Sequence, residues 1–438
     1  MKTYTKGIFL ILSFLFWDNI MAASLTDFNQ SFSDSTLRVD YIFAKSQDGC
    51  GIYLSEQSRQ KGWAGRRTRL NETPYKGNGT ILITNPETGD TLYINSFSTL
   101  FQEWLSTPEA ETSAMSFENS FLLPLPRQKS EIIVALRNNR NDEIAKETHI
   151  YDPADILVRS VGKNPEDYQY IHRGGDPEKV IDVAILAEGY TEDEMDKFIV
   201  SAQKITDEIL SYKPFSDNKD RFNFVAVKSP SRESGVSIPY KDIWKDTAFD
   251  SHFSTFYSNR YLTSPSIFKM HKALEGIPYE HIIILTNTPE YGGGGIYNSY
   301  LMTVADNQFS LPVAVHEFGH SFGGLADEYF YENEQEEMYP EDIEPWEPNI
   351  TTLVDFDSKW KNQIDESTAI PTPWDKSKRP DQSLSPDNIK VGVYEGAGYK
   401  THGVYRPAIT CRMRDNYFPT FCPVCEISLS ELIQFYTE

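Results

Sequence analysis

The sequence predicts an α+β protein: an amino-terminal antiparallel β-sandwich followed by an α/β domain built around one motif-bearing helix. Three observations predict it. Between Ser24 and Pro153 the apolar residues fall in short runs separated by turn punctuation, the spacing of sandwich strands. After Val180 the pattern changes to an apolar strand, a capped helix and another strand, which is a βαβ unit. Further on, Val315 to Tyr329 reads V-H-E-F-G-H-S-F-G-G-L-A-D-E-Y, where two histidines four residues apart share one face of a helix.

The chain has 438 residues, too many for one typical core, and divides into three expected segments. Residues 1–23 have the layout of a secretory signal peptide. Met1 to Lys6 is a basic start, Gly7 to Trp17 an apolar run, and Ile20 to Ala23 ends in small residues, with cleavage expected after Ala22 or Ala23. The apolar run is short for a membrane span. The mature chain is therefore expected to be exported, whether periplasmic, cell-surface or secreted, with no transmembrane segment.

Residues 24–155 form the expected sandwich. Leu37 to Ala44 alternates, Gly79 to Thr84 is β-branched, and Asn85 to Asp90 is a turn feeding Thr91 to Ile94. Ser116 to Pro124 and Glu131 to Leu136 add further strands. No catalytic constellation falls there, so this domain is expected to be structural or to present substrate.

Residues 156–438 form the second domain, entered through a polar linker, Asp152 to Lys179, that contains Gly174-Gly175-Asp176-Pro177. Val180 to Ala187 is its first strand. Thr191, followed by Glu192, Asp193 and Glu194, opens a helix that runs to Leu210, and Arg221 to Lys228 is the next strand. Glu280 to Thr286 is another buried strand, followed by Gly292-Gly293-Gly294-Gly295. These glycines lack the Lys-Ser or Lys-Thr of a phosphate cradle. They read as a flexible surface loop or as a rim of backbone on which an extended peptide adds as a strand. Their place just before the histidine helix favours the rim, so Gly293, Gly294 and Gly295 are candidate substrate-binding residues. Residues 331 to 390 show little periodicity and read as an irregular region packed on this domain. A final amphipathic helix starts at about Glu426.

A hydrophobic content of 39% with 13% aromatic residues indicates a globular chain. The net charge of −23 argues against nucleic acid or an anionic membrane surface as a partner. The four cysteines are Cys50, Cys411, Cys422 and Cys425. Cys422-Pro-Val-Cys425 has redox spacing without the strand-then-helix setting of redox chemistry, and a zinc knuckle would need two more ligands that the neighbouring sequence does not supply. A structural disulfide or free thiols is the expectation. Cys50 is expected to be structural or free.

A catalytic zinc takes three protein ligands and leaves a fourth position open. His316 and His320 supply two. Gly323 and Gly324 provide a turn after the helix that can bring back a carboxylate, Asp327 in preference to its neighbour Glu328. Glu317, beside the first histidine, is placed to act as general base toward an attacking water and then to pass the proton to a leaving amine.

With a methionine-bearing turn later in the chain, this stretch resembles the metzincin metallopeptidases, and within them the bacterial M64 family of IgA peptidases. The likeness rests on His316-Glu317-Phe318-Gly319-His320 through Asp327-Glu328-Tyr329. It also rests on Glu188-Gly189-Tyr190, on the glycine run, and on Tyr405-Arg406-Pro407 leading to Cys411-Arg412-Met413-Arg414. The resemblance implies zinc at His316, His320 and Asp327, catalysis by Glu317, and Met413 as the methionine under the metal. In the commonest metzincin pattern the third ligand is ten residues after the first histidine, and that position here is Ala326. Tyr405 and Tyr417 are each able to hydrogen-bond an oxyanion.

The expected function is a secreted zinc-dependent endopeptidase acting on proteins or glycoproteins, immunoglobulin A-like substrates among them. Two other readings stand beside it. One is an exported glycan- or protein-binding chain with a silent metal domain. The other is a zinc aminopeptidase with its third ligand on a separate helix.

Overall fold

The computed structural model describes residues 27–162, 166–331, 338–375 and 388–438. The stretch read as a signal peptide, and part of the region read as irregular, lie outside the described residues.

The first half is two sheets around one core. Strands β1 (Phe32–Ser46), β2 (Gly49–Lys61), β3 (Gly79–Thr84), β4 (Thr91–Phe97), β5 (Met115–Pro126), β6 (Ser130–Arg137), β7 (Glu143–Tyr151) and β8 (Arg159–Ser160) pair in the orders β5-β1-β2-β8 and β4-β3-β6-β7. Only the two-residue β8 runs parallel to its neighbour. Leu37, Val39, Tyr41 and Phe43 of β1 are fully buried, every second residue, and mark the core face; Thr36, Arg38 and Asp40 on the opposite face are buried too, with Arg38 donating to the Phe268 carbonyl (3.2 Å). The four core-face residues share a core with Ile81 and Ile83 of β3 and with Ile132, Val134 and Leu136 of β6. A short helix, α1 (Leu100–Leu105), is capped by Thr99, whose side chain accepts from the Gln102 amide.

The second half is a six-stranded sheet. Its strands are β9 (Asp167–Arg173), β10 (Ile181–Glu188), β11 (Phe222–Lys228), β12 (His281–Thr286), β13 (Gly293–Gly295) and β14 (Leu301–Val304), in the order β13-β14-β12-β10-β11-β9. The four inner strands are parallel, and β9 and β13 are antiparallel edges. Every residue of β10 is buried, because both faces are covered. Ile181, Val183 and Ile185 face one core, Ala184 and Leu186 the other. The expected βαβ unit is β10, helix α2 (Met195–Ile209) and β11. A 3₁₀ turn, Glu192–Glu194, precedes α2, with Thr191 and Glu194 forming a reciprocal capping box.

Glu188 of the Glu-Gly-Tyr motif has a structural task. It is fully buried and accepts from Thr247 Oγ1 (2.7 Å) and from the amides of Phe249 and Ser251 (both 3.0 Å), so one carboxylate gathers a loop. Helices α3 (Ile267–Ala273), α4 (Ser310–Ser321) and α5 (Pro423–Thr437) complete the domain with the hairpin β15 (Tyr394–Ala397) and β16 (Lys400–Arg406). Helix α5 begins earlier than expected: Cys422 is its N-cap and Pro423 its first residue, where proline's missing N–H costs nothing. No helix among the described residues is long and apolar enough to cross a membrane.

The glycine run corrects the flexible-loop reading; as a rim, Gly293, Gly294 and Gly295 form an edge strand that lines the cleft described below. It is edge strand β13 rather than a flexible loop, and part of its outer edge is already occupied. The Leu262 amide donates to the Gly293 carbonyl (3.2 Å), and the Gly293 amide donates to the Arg260 carbonyl (3.3 Å). Strand addition by a peptide at Gly293 is thereby closed. The glycines also serve close approach. A Cβ on Gly293 would lie 2.9 Å from Glu317 Oε1, and one on Gly294 would lie 2.6 Å from the Tyr261 ring. A Cβ on Gly295 would lie 2.6 Å from the Glu317 carbonyl and 2.9 Å from His320 Cβ. Gly295→Ala should therefore push α4 off the sheet and cost about 1–3 kcal/mol by overpacking. Thermal unfolding measures it, and an unchanged Tm would refute the packing role.

Candidate metal centre

Helix α4 packs one side on the sheet and turns the other to a cleft. Ala314, Val315, Phe318 and Phe322 enter the core, with the rings of Phe318 and Phe322 stacked 5.1 Å apart. Gly319 is the contact point on the opposite flank. A Cβ there would lie 2.6 Å from Met413 Sδ, so the fully buried Met413 seats directly against the helix turn between the two histidines.

His316 Nε2 and His320 Nε2 lie 3.0 Å apart, and Asp327 Oδ1 lies 3.0 Å from the first and 3.3 Å from the second. The other ring nitrogens face carbonyls, His316 Nδ1 to Arg412 (3.1 Å) and His320 Nδ1 to Leu325 (2.6 Å). A carbonyl only accepts, so each Nδ1 carries a proton, and each ring in its neutral form would turn its Nε2 lone pair inward. Three electron-pair donors then converge with about the 3.3 Å edge of a tetrahedron around an ion 2.0–2.1 Å from each. The donor set fits a divalent metal. The electrostatics agree. Burial alone would lower the His320 imidazole, but the Asp327 carboxylate outweighs it and carries it up to about 9. Burial would raise Asp327, yet the two imidazoles hold it well below the usual carboxylate range. Positive charge is favoured at this point.

The loop after α4 delivers Asp327. Gly324 has φ +60°, a left-handed conformation suited to glycine, and the Leu325 amide returns to the Gly319 carbonyl (3.1 Å). Asn349 then clamps Ala326 on both sides. Its Oδ1 accepts from the Ala326 amide (2.7 Å) and its Nδ2 donates to the Ala326 carbonyl (2.9 Å). The position ten residues after His316 thus holds backbone and offers no ligand. Asp327 faces the histidines, its second oxygen accepting from the Tyr399 hydroxyl. Glu328, its rival from sequence, faces away, with Oε1 at 3.0 Å from Asn349 Nδ2 and 3.2 Å from Cys425 Sγ.

The free-thiol expectation for the cysteines holds, and the expectation that Cys422 and Cys425 lack further ligand groups is corrected. Cys411 and Glu328 do join Cys422 and Cys425, in a buried group of four possible ligands. All four cysteines are free thiols, and Cys50 sits apart, against the sandwich core.

Glu317 is half-buried at the floor of a cleft of about 1240 Å³ that both histidines and Asp327 also line. Burial pushes its carboxyl up, against the lowering pull of His316 and His320, which moves it toward the range of a working general base. The cleft draws on both halves of the chain. Glu103 of α1 reaches in from the sandwich and accepts from the Tyr261 hydroxyl, and burial raises its carboxyl to about 7. Tyr291, Phe309, Tyr329, Tyr331 and Tyr399 make the walls aromatic. Of the two oxyanion candidates, Tyr417 lines the cleft; Tyr405 is absent from its lining and exchanges backbone hydrogen bonds with Thr351. The sequence reading missed Asn349, Tyr399 and Glu103. Their only sequence signals are single polar residues far along the chain from the motif they support.

The family profile described as IgA Peptidase M64 matches residues 170–386 and 381–433, more than half of the chain. That described as Peptidase M64 N-terminus matches residues 27–147. No curated protein matches the sequence.

Removing the Asn349 amide strands the Ala326 N–H and carbonyl and takes one of two donors from Glu328 Oε1. Asn349→Ala should destabilise the fold by about 1–3 kcal/mol for each group left unsatisfied and weaken metal binding about 10–100-fold. Thermal melts and competition with a chelator of known affinity measure both. A variant that binds metal as tightly as the wild type would refute the clamp.

Proposed function

The chain belongs to the M64 peptidase family, and from that, with His316, His320 and Asp327 converging at the floor of a cleft, we propose that it is an exported zinc-dependent endopeptidase. The family is one of peptidases, and its members act on proteins. The convergence of two imidazoles and a carboxylate beside an elevated Glu317 carries the reading to this chain.

His316, His320 and Asp327 would hold the zinc, which when bound acidifies water to a pKa of about 7 and polarises a carbonyl. Glu317 accepts the proton of the attacking water and delivers it to the departing amine. Burial raises its carboxyl above the ordinary carboxylate range, the direction that suits a group that must take up a proton before passing it on. The Arg412 and Leu325 carbonyls hold the two imidazoles in the tautomer that binds. Tyr399 holds the outer oxygen of Asp327. The aromatic walls offer flat apolar area to the side chains of an extended peptide, and Tyr417, on the cleft lining, is the candidate to steady developing negative charge. Export rests on the signal-like residues 1–23. Protein and glycoprotein substrates, immunoglobulin A included, are the class to test.

Glu317→Gln should lower the rate of cleavage of casein and immunoglobulin A by about 10²–10⁴-fold with metal content unchanged, whereas His316→Ala should lose the ion of this centre and cleavage together. Cleavage of an amino-terminally blocked peptide at an internal bond would separate an endopeptidase from an aminopeptidase. A zinc-loaded wild type that hydrolyses no protein or peptide would sink the reading.

A further inference from the structure

We propose that Glu328, Cys411, Cys422 and Cys425 bind a second zinc ion, a structural one, behind the candidate catalytic centre. One ligand atom from each lies within 4.8 Å of all the others, and all four side chains are buried, at 0% exposure. The spacing is that of a coordination shell. Cys411 Sγ and Cys425 Sγ are 3.8 Å apart, and Cys425 Sγ is 3.2 Å from Glu328 Oε1. Around an ion with Zn–S of about 2.3 Å and Zn–O of about 2.0 Å, tetrahedral edges come to about 3.8 Å between sulfurs and about 3.5 Å between sulfur and oxygen. A disulfide would bring two sulfurs to about 2.05 Å.

The chemistry of the donors points the same way. Three cysteines cannot pair among themselves, so one disulfide would leave a thiol facing a carboxylate. Glu328 Oε2 is buried with no hydrogen-bond partner, a costly state for a carboxyl unless a cation takes it up. Cys422 and Cys425 hold the C-x-x-C spacing of a zinc knuckle at the start of α5, where the helix dipole favours thiolates. The Cys422 amide donates to Cys411 Sγ (3.2 Å), the kind of hydrogen bond that stabilises a metal-bound sulfur. Three thiolates and a carboxylate around a divalent ion leave net negative charge, and Arg406 and Arg414 lie close enough to act on Glu328 electrostatically. Soft sulfur donors select zinc over calcium or magnesium.

Such an ion would tie the loop carrying Asp327 to the segment that supports the histidine helix. Cys411 precedes Arg412, whose carbonyl orients His316, and Met413, whose carbonyl accepts from the Glu328 amide (2.9 Å) and whose sulfur backs Gly319. Glu328 follows Asp327 directly. The second site does not depend on the peptidase reading.

The test uses the full chain with His316→Ala and His320→Ala, which removes the first centre and leaves the second untouched. Purified without chelators and supplied with zinc, the wild type should hold about two ions per chain and the variant about one. X-ray absorption at the zinc edge of the variant should show a sulfur-dominated shell near 2.3 Å. Replacement by cobalt should produce thiolate-to-metal charge-transfer absorption, absent after Cys422→Ser with Cys425→Ser. A variant with no zinc, a retained ion with only nitrogen and oxygen neighbours, or a disulfide among Cys411, Cys422 and Cys425 in peptide maps would overturn the proposal. A wild type that keeps the sulfur-bound ion yet cleaves no protein counts against the peptidase reading and supports this site.

Discussion

The structure depends on one short reversal of the chain, from Gly324 to Glu328. The left-handed turn at Gly324 sends the chain back under α4. Asn349 then holds Ala326 by both its backbone groups, and strand-like pairing continues through the Asp327 carbonyl to the Gly398 amide (2.9 Å) and the Tyr399 amide to the Tyr329 carbonyl (3.0 Å). Consecutive residues of an extended segment point to opposite sides. Once Ala326 is fixed, Asp327 and Glu328 have no freedom to exchange roles: one faces two histidines, the other three cysteines. A shift by one residue in one direction would put the Ala326 methyl among the histidines and the shorter Asp327 among the cysteines; in the other it would put the longer Glu328 among the histidines and Tyr329 among the cysteines.

The second constraint is closeness. Helix α4 must approach both an edge strand and the segment around Met413 so nearly that any Cβ at the contacts would collide. Gly293 and Gly295 on one side and Gly319 on the other supply the space. Glycine costs conformational entropy in a strand or helix, so three of them at the contacts of one helix mark a place where position outweighs intrinsic stability. The return is rigidity of Glu317, whose carboxyl and backbone both lie against the glycine strand.

What could be read from the sequence follows the range of the interactions involved. The histidine spacing, the capped α2 and the alternation of β1 are local periodicities, and the structure reproduces them. Asp327 was within reach because Gly323 and Gly324 announce a turn a few residues before it. Asn349 was not, because its bonds to Ala326 span 23 positions of sequence and an asparagine in an irregular acidic stretch carries no pattern. The cysteine group failed for the same reason. Cys422 and Cys425 advertise themselves, but the partners arrive from Glu328, 97 positions from Cys425, and from beyond a turn at Cys411. The close packing around the glycine run was not legible, because four glycines suggest flexibility by composition, whereas the surroundings leave no room for a side chain.

The sandwich is part of the cleft, which changes how substrate selection should be understood. The Ser98 amide donates to the Tyr297 carbonyl (3.0 Å), and Asn298 Nδ2 donates to the Ser96 carbonyl (2.8 Å). The end of β4 is thus bonded to the loop that continues from Gly295. Tyr261 packs where a Gly294 side chain would be and gives its hydroxyl to Glu103 on α1. The glycine strand therefore sits between the histidine helix on one face and a tyrosine anchored to the other half of the chain. Width and polarity at that end of the cleft are set jointly, and changes in the sandwich near Glu103 would alter what fits beside Glu317 without touching a metal ligand. The amino-terminal half thus shapes the cleft beside Glu317, while the three candidate metal-binding side chains come from the carboxy-terminal half.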